Sequence, residues 1–502
     1  MAIINDQQYA QARLSKFKDY NINPYPYTYE TTCELFTFIN DFKNIKENKI
    51  TDYIHSLTGR ITNIRKCSKN LYFYTIQNSG YQLQLIVNRT EYNNEDVNNS
   101  GNFDIDNELI NRGDVIGAYG FAGKSKTGEL SLIVKKIVIL APCLRMLPPI
   151  SNDQHYSVIN RDIREKKRYL DLLIDQNNIQ NFIIKQKVCS SFRNFLDSND
   201  FIEVTTPILH KITGGASAKP FTTYHNDTKQ TMHMRISPEL YLKQLVVGGL
   251  NRIYELGPQF RNESADKTHN PEFTSLEFYM AYNDYKKLFT FCENLISSVV
   301  LSVNKSHIVK YGDLLLDFSV PFNRINIMDH LIQLGIKIDL SLPNDELVKQ
   351  LTGICNVHKI ELPIPSTANK LLDKIISHFL ESKCIQPTFL CDHPKIMSPL
   401  SKVHRDNNNL TERFELFVAG MEICNAYTEL NDPKDQEERF KLQLQDKQNG
   451  DQEAQLIDEI FIDALFHGLP PTIGFGCGID RFVMLLSNKQ NIRDIISFPL
   501  TS

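Results

Sequence analysis

The sequence predicts an α+β protein in two parts, a small N-terminal β-barrel followed by a larger domain whose antiparallel sheet is flanked by helices. Three observations carry this. Short β-type runs (IHSLTGRITNIR, NLYFYTIQ, YQLQLIVN, DVIGAYGFAG, ELSLIVKKIVIL) follow one another between residues 54 and 145, separated by Gly, Asn and Lys-Thr-Gly turns. From residue 176 helical and strand periods interleave, with no repeat at about 20 to 50 residues. The 502 residues, 41% hydrophobic and 23% charged, suffice to bury a large core, which excludes a disordered chain, a rod or a single small module.

Taken in order, residues 6–20 (DQQYAQARLSKFKDY) read as a polar helix ended by Asn23-Pro24 and Tyr25-Pro26, an appendage within 1–48. The barrel is assigned to 49–146. Within it GAYGFAGKS nearly matches a phosphate-binding loop, but Ala118 stands where GxxxxGK[ST] needs glycine, so GKSKTGEL is read as a hairpin turn. The stretch LPPISNDQHYSVINRDIREKKRYLDLL reads as a linker with the boundary near 147, and 147–502 as the second domain. There Ile184, Val188, Phe192, Phe195 and Leu196 form one helical stripe, and FIEVTTP is a strand stopped by Pro207. Runs around 231–262, 272–282, 413–430 and 470–478 read as strands, and helices are expected near 284–304, 367–382, 434–447 and 479–488.

Composition narrows the chemistry. Fifty-five Lys and Arg against 59 Asp and Glu give a net charge of −4, so any nucleic-acid contact has to be local. The ten cysteines never fall in a CxxC pair, which argues against a zinc ribbon or a thioredoxin-like site and for reduced thiols. MAIINDQQYAQARLSKF has neither the apolar core of a secretory signal nor a transit-peptide pattern, and no apolar run approaches the roughly 18 residues of a membrane span. A cytoplasmic protein with no membrane partner is expected.

The chemistry concentrates on strands of the second domain. On EFTSLEFYM the period of two puts Phe273, Ser275, Glu277 and Tyr279 on one face and Thr274, Leu276, Phe278 and Met280 on the core face. An aromatic, a carboxylate and a phenol on one face suit a cleft that binds a cation, with a solvated face as the competing reading for Glu277. In RIYELGPQFRNE, Glu255, Gln259, Arg261 and Glu263 share a phase, and Arg261 is of the type that grips phosphate bidentately. ELFVAGMEICNAYTELND turns at Gly420 and carries Glu415, Glu422, Asn425, Tyr427 and Glu429. Glu422 is out of phase with the last three, so one shared pocket requires a β-bulge between 422 and 425. GFGCGIDRFVML is a Gly-rich strand entering a helix with Arg481 in its first turn. KIMSP at 395–399 is set aside, because it lacks the HIGH partner that its faint likeness to a nucleotide-binding loop needs.

In that order, FIEVTTP, QFRNESADKTHNPEF and GFGCGIDR resemble motifs 1, 2 and 3 of class II aminoacyl-tRNA synthetases. GGASAKPF, RISPELYLK, EFYMAY and EICNAYTELNDP are similar to the lysyl branch, of the eukaryotic cytosolic kind, and the likeness covers about residues 20 to 500. The resemblance implies an OB-fold β-barrel followed by a class II synthetase domain with an antiparallel sheet flanked by helices, attaching lysine to tRNA(Lys) through a lysyl-adenylate with ATP and Mg²⁺. It implies Arg261 at the ATP α-phosphate, Arg481 at the γ-phosphate, adenine on Phe273, Glu263, His269 and Asn270 at the adenosine, and Glu415 and Glu422 on Mg²⁺. Gly215 and Glu239 would border the lysine α-amino group, with Asn425 near its carboxylate. Tyr279 and Glu429 would take the ε-ammonium, beside Glu277 and Tyr427. In the barrel, Arg65, Phe73 and Gln84 match positions that hold anticodon bases. Phe73 competes with a core reading there, but Tyr72 and Tyr74 leave it on the opposite strand face. The partners implied are tRNA(Lys), L-lysine and a second copy of the chain through motif 1, with a multisynthetase complex also open to it. Three rival readings were weighed: an aspartyl-type enzyme, disfavoured by the sign of the pocket's charge; a protein-modifying lysine ligase, disfavoured by the barrel; and an inactive scaffold, disfavoured by the intact arginines and carboxylates.

Overall fold

Alternation of apolar residues between positions 55 and 141 closes a five-stranded barrel. In the computed structural model β1 (His55–Ser68), β2 (Leu71–Asn78), β3 (Tyr81–Asn88), β4 (Val115–Lys124) and β5 (Leu130–Ala141) close in the order β1-β2-β3-β5-β4, with β3 and β5 parallel and the other pairs antiparallel. The structure describes residues 6–46, 50–92, 102–147, 161–175, 177–448, 450–451, 453–454 and 456–500; of the expected linker, residues 148–160 lie outside the described residues. The chain divides into two units, Met1–Arg161 with Tyr169–Ile179, and Asp162–Arg168 with Gln180–Ser502.

In the first unit Leu57, Ile61, Tyr74, Ile76, Leu85 and Val134 fill the barrel. The hairpin reading of GKSKTGEL holds, since Ser125–Gly128 turns between β4 and β5. The glycines of the near-match to a phosphate loop answer to packing. A Cβ on Gly117 would overlap the Tyr29 ring, and one on Gly120 would overlap the Ile133 carbonyl oxygen. The polar helix Asp6–Asp19, expected as an appendage, is built into the barrel. Phe17 belongs to the barrel core, and one turn earlier Arg13 is buried, its Nη1 and Nη2 donating to the two Asp114 carboxylate oxygens at 2.6 and 2.8 Å. Only this i, i+4 pair is buried on an otherwise polar helix, so no apolar stripe announces it.

The second unit is built on eight strands in the order β14-β15-β18-β19-β20-β11-β10-β6: β6 (Ile202–Glu203), β10 (Arg252–Phe260), β11 (Glu272–Ala281), β14 (Asn323–Asn326), β15 (Thr388–Cys391), β18 (Arg413–Val418), β19 (Met421–Thr428) and β20 (Thr472–Gly478). Between them in the chain lie a small sheet of β7 (Leu209–His210), β8 (Thr222–His225) and β9 (Gln230–Met234), and the pairs β12 (Ile308–Tyr311) with β13 (Leu314–Asp317) and β16 (Val403–His404) with β17 (Asn407–Thr411). From β15 to β10 neighbours are antiparallel, as expected, but both edges depart from that pattern, with β14 on β15 and β6 on β10 parallel. The FIEVTTP strand shortens to the two residues of β6.

Helices Asn177–Asp197 and Tyr285–Asn304 cover one face of the sheet, burying Val188, Phe192, Leu196, Leu295 and Ile296 against Leu276, Phe278 and Phe475. The Phe278 and Phe475 rings stack at 4.6 Å. The expected strand over 231–262 is interrupted by helix Glu239–Val247. Its Glu, Leu, Lys and Gln lose little rotamer freedom in a helix, and it ends at Gly248. Helix Asn344–Val357, which the sequence reading missed, packs with Ala368–Phe379 around Leu347, Leu351, Leu371 and Ile375. All ten cysteines are free, six of them buried. Among the described residues no helix is long and apolar enough to cross a membrane.

Candidate active site

The cleft is built in rungs across four strands. Register aligns Glu277 on β11 with Gly476, Asn425 and Glu415 on β20, β19 and β18, and Tyr279 with Gly474, Tyr427 and Arg413 in the next rung. Alternate residues share a face, so these side chains look away from Leu276, Phe278, Leu416, Ala426 and Phe475, which are core. The middle strand contributes glycine to each rung, which opens a trough in the sheet. A Cβ on Gly474 would overlap Glu429 Oε1 and come within 2.8 Å of the Tyr279 ring. The required bulge is present: Leu416 pairs with Cys424 but Phe417 with Glu422, which returns Glu422 to the cleft face. The cavity over the trough measures ≈ 400 Å³.

One end of the cavity is acidic. Gly215, Glu239, Glu277, Tyr279, Asn425 and Tyr427 all line it. Gly215 has φ +88° and lies so close to Ser237 Oγ and Glu239 Cβ that an added Cβ would meet both at 3.0 Å, so the position demands glycine. Tyr427 Oη donates to both Glu239 carboxylate oxygens at 2.8 Å. Glu277 accepts from Ser237 Oγ at 3.1 Å and from Tyr279 Oη at 3.3 Å, while burial, and then the charge of Glu239, push its carboxyl up to about 8. Glu429 does not line the cavity. It is fully buried behind the wall, its Oε2 ion-paired with Lys243 Nζ and its Oε1, against Gly474, without a hydrogen-bond partner among the described residues.

The other end is cationic. Arg261, Glu263, His269, Asn270, Phe273 and Arg481 line it. The Arg261 guanidinium carbon lies 5.1 Å from the Phe273 ring centre, and Arg261 Nε and the whole Gln259 amide are buried without hydrogen-bond partners among the described residues. Arg481 donates to the Glu422 carbonyl at 3.0 Å and to His269 Nε2 at 2.6 Å. Asn270 is already engaged, donating to the Glu272 carbonyl at 2.7 Å and accepting from Leu500 N at 3.3 Å.

Between the ends stand Glu415 and Glu422. Burial raises Glu415, but Arg413 and His393 outweigh it and hold its carboxyl at about 2, while burial and the neighbouring Glu415 push Glu422 up. Among the described residues no three His, Cys, Asp or Glu side chains converge as a self-sufficient metal site. Two oxygen-donor carboxylates that repel one another suit a hard divalent cation completed by phosphate oxygens.

Sequence reading missed several members. Arg413 donates to Asn425 Oδ1 at 3.0 Å and to Glu415 Oε1 at 2.6 Å, and its place two residues before Glu415 was a legible sign. Ser237 lies inside the quoted RISPELYLK, where only Glu239 is given a role. Met397, Ser398 and Pro399, from the KIMSP string that was set aside, line the cavity as well.

In the barrel unit Arg65 and Phe73 are cross-strand partners, with the guanidinium carbon 4.7 Å from the ring centre. Tyr74 and Ile76 are core and Phe73 is not, so Phe73 faces outward as its phase required. Gln84 pairs with Thr75, on the face of Phe73, donates to Glu129 at 2.6 Å and accepts from Ser131 Oγ at 3.1 Å.

Comparison with known proteins agrees with this layout. The profile of the class II tRNA synthetases (D, K and N) matches residues 160–502, and that of the OB-fold nucleic acid binding domain matches residues 55–140. The chain is 41% identical over 511 residues to the probable lysine--tRNA ligase, cytoplasmic, of Vairimorpha ceranae, covering 99% of this chain and 96% of the relative. It is 42% identical over 488 residues to the protein of the same name in Encephalitozoon cuniculi, covering 95% and 92%. It is 43% identical over 448 residues to the lysine--tRNA ligase of Aquifex aeolicus, covering 88% and 72%.

Proposed function

The chain belongs to the class II tRNA synthetases, within the group of lysine--tRNA ligases, and from that premise we propose that it attaches lysine to tRNA(Lys) in two steps in one cleft. The observation that carries the amino-acid assignment is the acidic end of the cavity. Glu239 and Glu277 line it and Glu429 stands directly behind Gly474, a charge pattern that suits a substrate with two ammonium groups and opposes an aspartate or asparagine side chain. Gly215 and Glu239 border the α-amino group, Asn425 the carboxylate, and Glu277, Tyr279, Tyr427 and Glu429 the ε-ammonium.

At the cationic end adenine stacks on Phe273 with Glu263, His269 and Asn270 around the adenosine, Arg261 takes the α-phosphate and Arg481 the γ-phosphate. The lysine carboxylate attacks the α-phosphorus, the bond to the β-phosphate breaks, and pyrophosphate leaves. The 3′-terminal hydroxyl of the tRNA then takes the lysyl group and AMP departs. The protein's own part is positioning and charge stabilisation, so no general base is invoked. Glu415 and Glu422 would hold Mg²⁺, which when bound offsets phosphate charge. Arg65, Phe73 and Gln84 are proposed to read the anticodon by stacking and hydrogen bonds.

A cytoplasmic location is proposed on the names of the two microsporidian relatives. A homodimer is proposed because the motif 1 stretch leaves Ile202, Ile208 and Leu209 exposed; a monomer in light scattering would refute it. The amino-acid assignment is tested by ATP–pyrophosphate exchange without tRNA, offered each amino acid in turn. Exchange with lysine alone is expected. Exchange with another amino acid overturns the pocket assignment, and none at all from folded protein with Mg²⁺ overturns the activity.

A further inference from the structure

Beneath the acidic end of the cavity lies a cation that no step above uses. Lys243, on helix Glu239–Val247, has a fully buried side chain. Its Nζ pairs with Glu239 Oε1 at 2.7 Å, one helical turn away, and with Glu429 Oε2. The Phe461 and Tyr427 rings lie 5.5 and 6.0 Å from Nζ, so aromatic faces and carboxylates enclose it. A lysine sealed from water is costly unless its charge is met, and here it is met twice.

The consequence lies in what the pairing leaves over. Lys243 occupies one oxygen of Glu429 and leaves the other, Oε1, against Gly474 with no hydrogen-bond partner among the described residues. It does not engage Glu277, which Ser237 and Tyr279 hold instead. Once Glu277 has given up its proton, three carboxylates against one internal ammonium leave two negative charges, the number of ammonium groups that a diamino acid brings.

We propose that Lys243 is a positioning residue for substrate selection: it clamps Glu239 and Glu429 together and so fixes the orientation of both carboxylates at the acidic end of the cavity. The inference rests on the lysine reading of the pocket. Burial pushes the Glu429 carboxyl well above its ordinary value; Lys243 pulls against that shift, and the charges of Glu239 and Glu277 add to it. The other titratable or charged groups around the clamp are Tyr279, Tyr427 and Arg413. Without Lys243, Glu429 loses both the cation that opposes its upward shift and the anchor that aims it.

The test is lysine-dependent ATP–pyrophosphate exchange by the full chain, with Lys243→Met beside the wild type and Glu429→Gln. Breaking a buried pair by removing one partner predicts that Lys243→Met raises KM for lysine by about 100-fold or more. KM for ATP is expected to stay within about threefold, because the nucleotide end contains no partner of Lys243. Equal loss toward both substrates, or an unchanged KM for lysine, overturns the inference and marks Lys243 as packing. If the single variant fails to fold, Lys243→Met/Glu429→Gln removes both buried charges together. A residue acting through Glu239 and Glu429 should then leave KM for lysine at or above the Glu429→Gln value with KM for ATP within about threefold of it, and a matching rise in KM for ATP would overturn the inference. Failure of the underlying reading is separate and visible, since a wild type without lysine-dependent exchange refutes the substrate and not the clamp alone.

Discussion

In the role proposed for it Glu277 has to be ionised, yet it is buried where ionisation is disfavoured. Burial and Glu239 push it up to about 8, so in the empty pocket at neutral pH it carries a proton. An arriving ammonium replaces that proton as the neutralising charge, and lysine binding therefore releases a proton. The sign follows: affinity for lysine should rise as pH climbs through about 8 and then level off. KM for lysine in the exchange reaction, followed across that range, checks this. Glu277→Gln should bind more weakly and lose the step, and a wild-type KM that worsened with rising pH would contradict the assignment. Residues of this kind were legible because a strand's period of two fixes which side chains share a face, and Glu277, Tyr279, Asn425 and Tyr427 all obeyed it. Lys243 was not, since ELYLKQLVV gives its lysine no mark of burial. Its partner Glu429 stands 186 positions further on, and only the closed sheet brings the two together.

At the scale of elements, strand phase foretold more than element type did. The bulge at Glu422 was required by phase alone and is present, and the Gly-rich strand entering a helix is β20 followed by Ile479–Leu486. Helix Glu239–Val247 was read as strand because nine residues between two strands give little room for a helical period to declare itself. In the barrel, the outward face of β2 was fixed by Tyr74 and Ile76 pointing in, which leaves Phe73 beside Arg65 on the surface. Stacking of a base there contributes about 1–3 kcal/mol, so Phe73→Ala should lower kcat/KM for tRNA by about 5-fold to 150-fold. Exchange without tRNA should be unchanged. A variant that charges tRNA as the wild type does would remove Phe73 from the anticodon reading, and equal loss in both assays would make it structural.

At the scale of the molecule, the two functions reside in different units. The residues lining the cavity, between Gly215 and Ile492, belong to the second unit, and the anticodon candidates to the first. The sequence showed this division through the change from turn-punctuated strands to mixed periods. It concealed how the first unit is held together, because the Arg13–Asp114 pair spans 101 positions and joins a polar helix to a barrel turn. Asp114 is fully buried and also accepts from Asn111 N and Cys143 N at 2.7 Å, so four groups depend on one carboxylate. Asp114→Ala leaves a buried guanidinium unpaired, at a cost of about 3–5 kcal/mol, which is a large share of what holds a domain of this size together. Calorimetry should show one transition moved down in temperature and a second unmoved. Exchange without tRNA should persist while tRNA charging fails, because the cleft draws no side chain from the barrel unit. Loss of exchange together with a downward shift of both transitions would mean that the units fold as one, and that the catalytic sheet depends on a carboxylate that never meets the substrate.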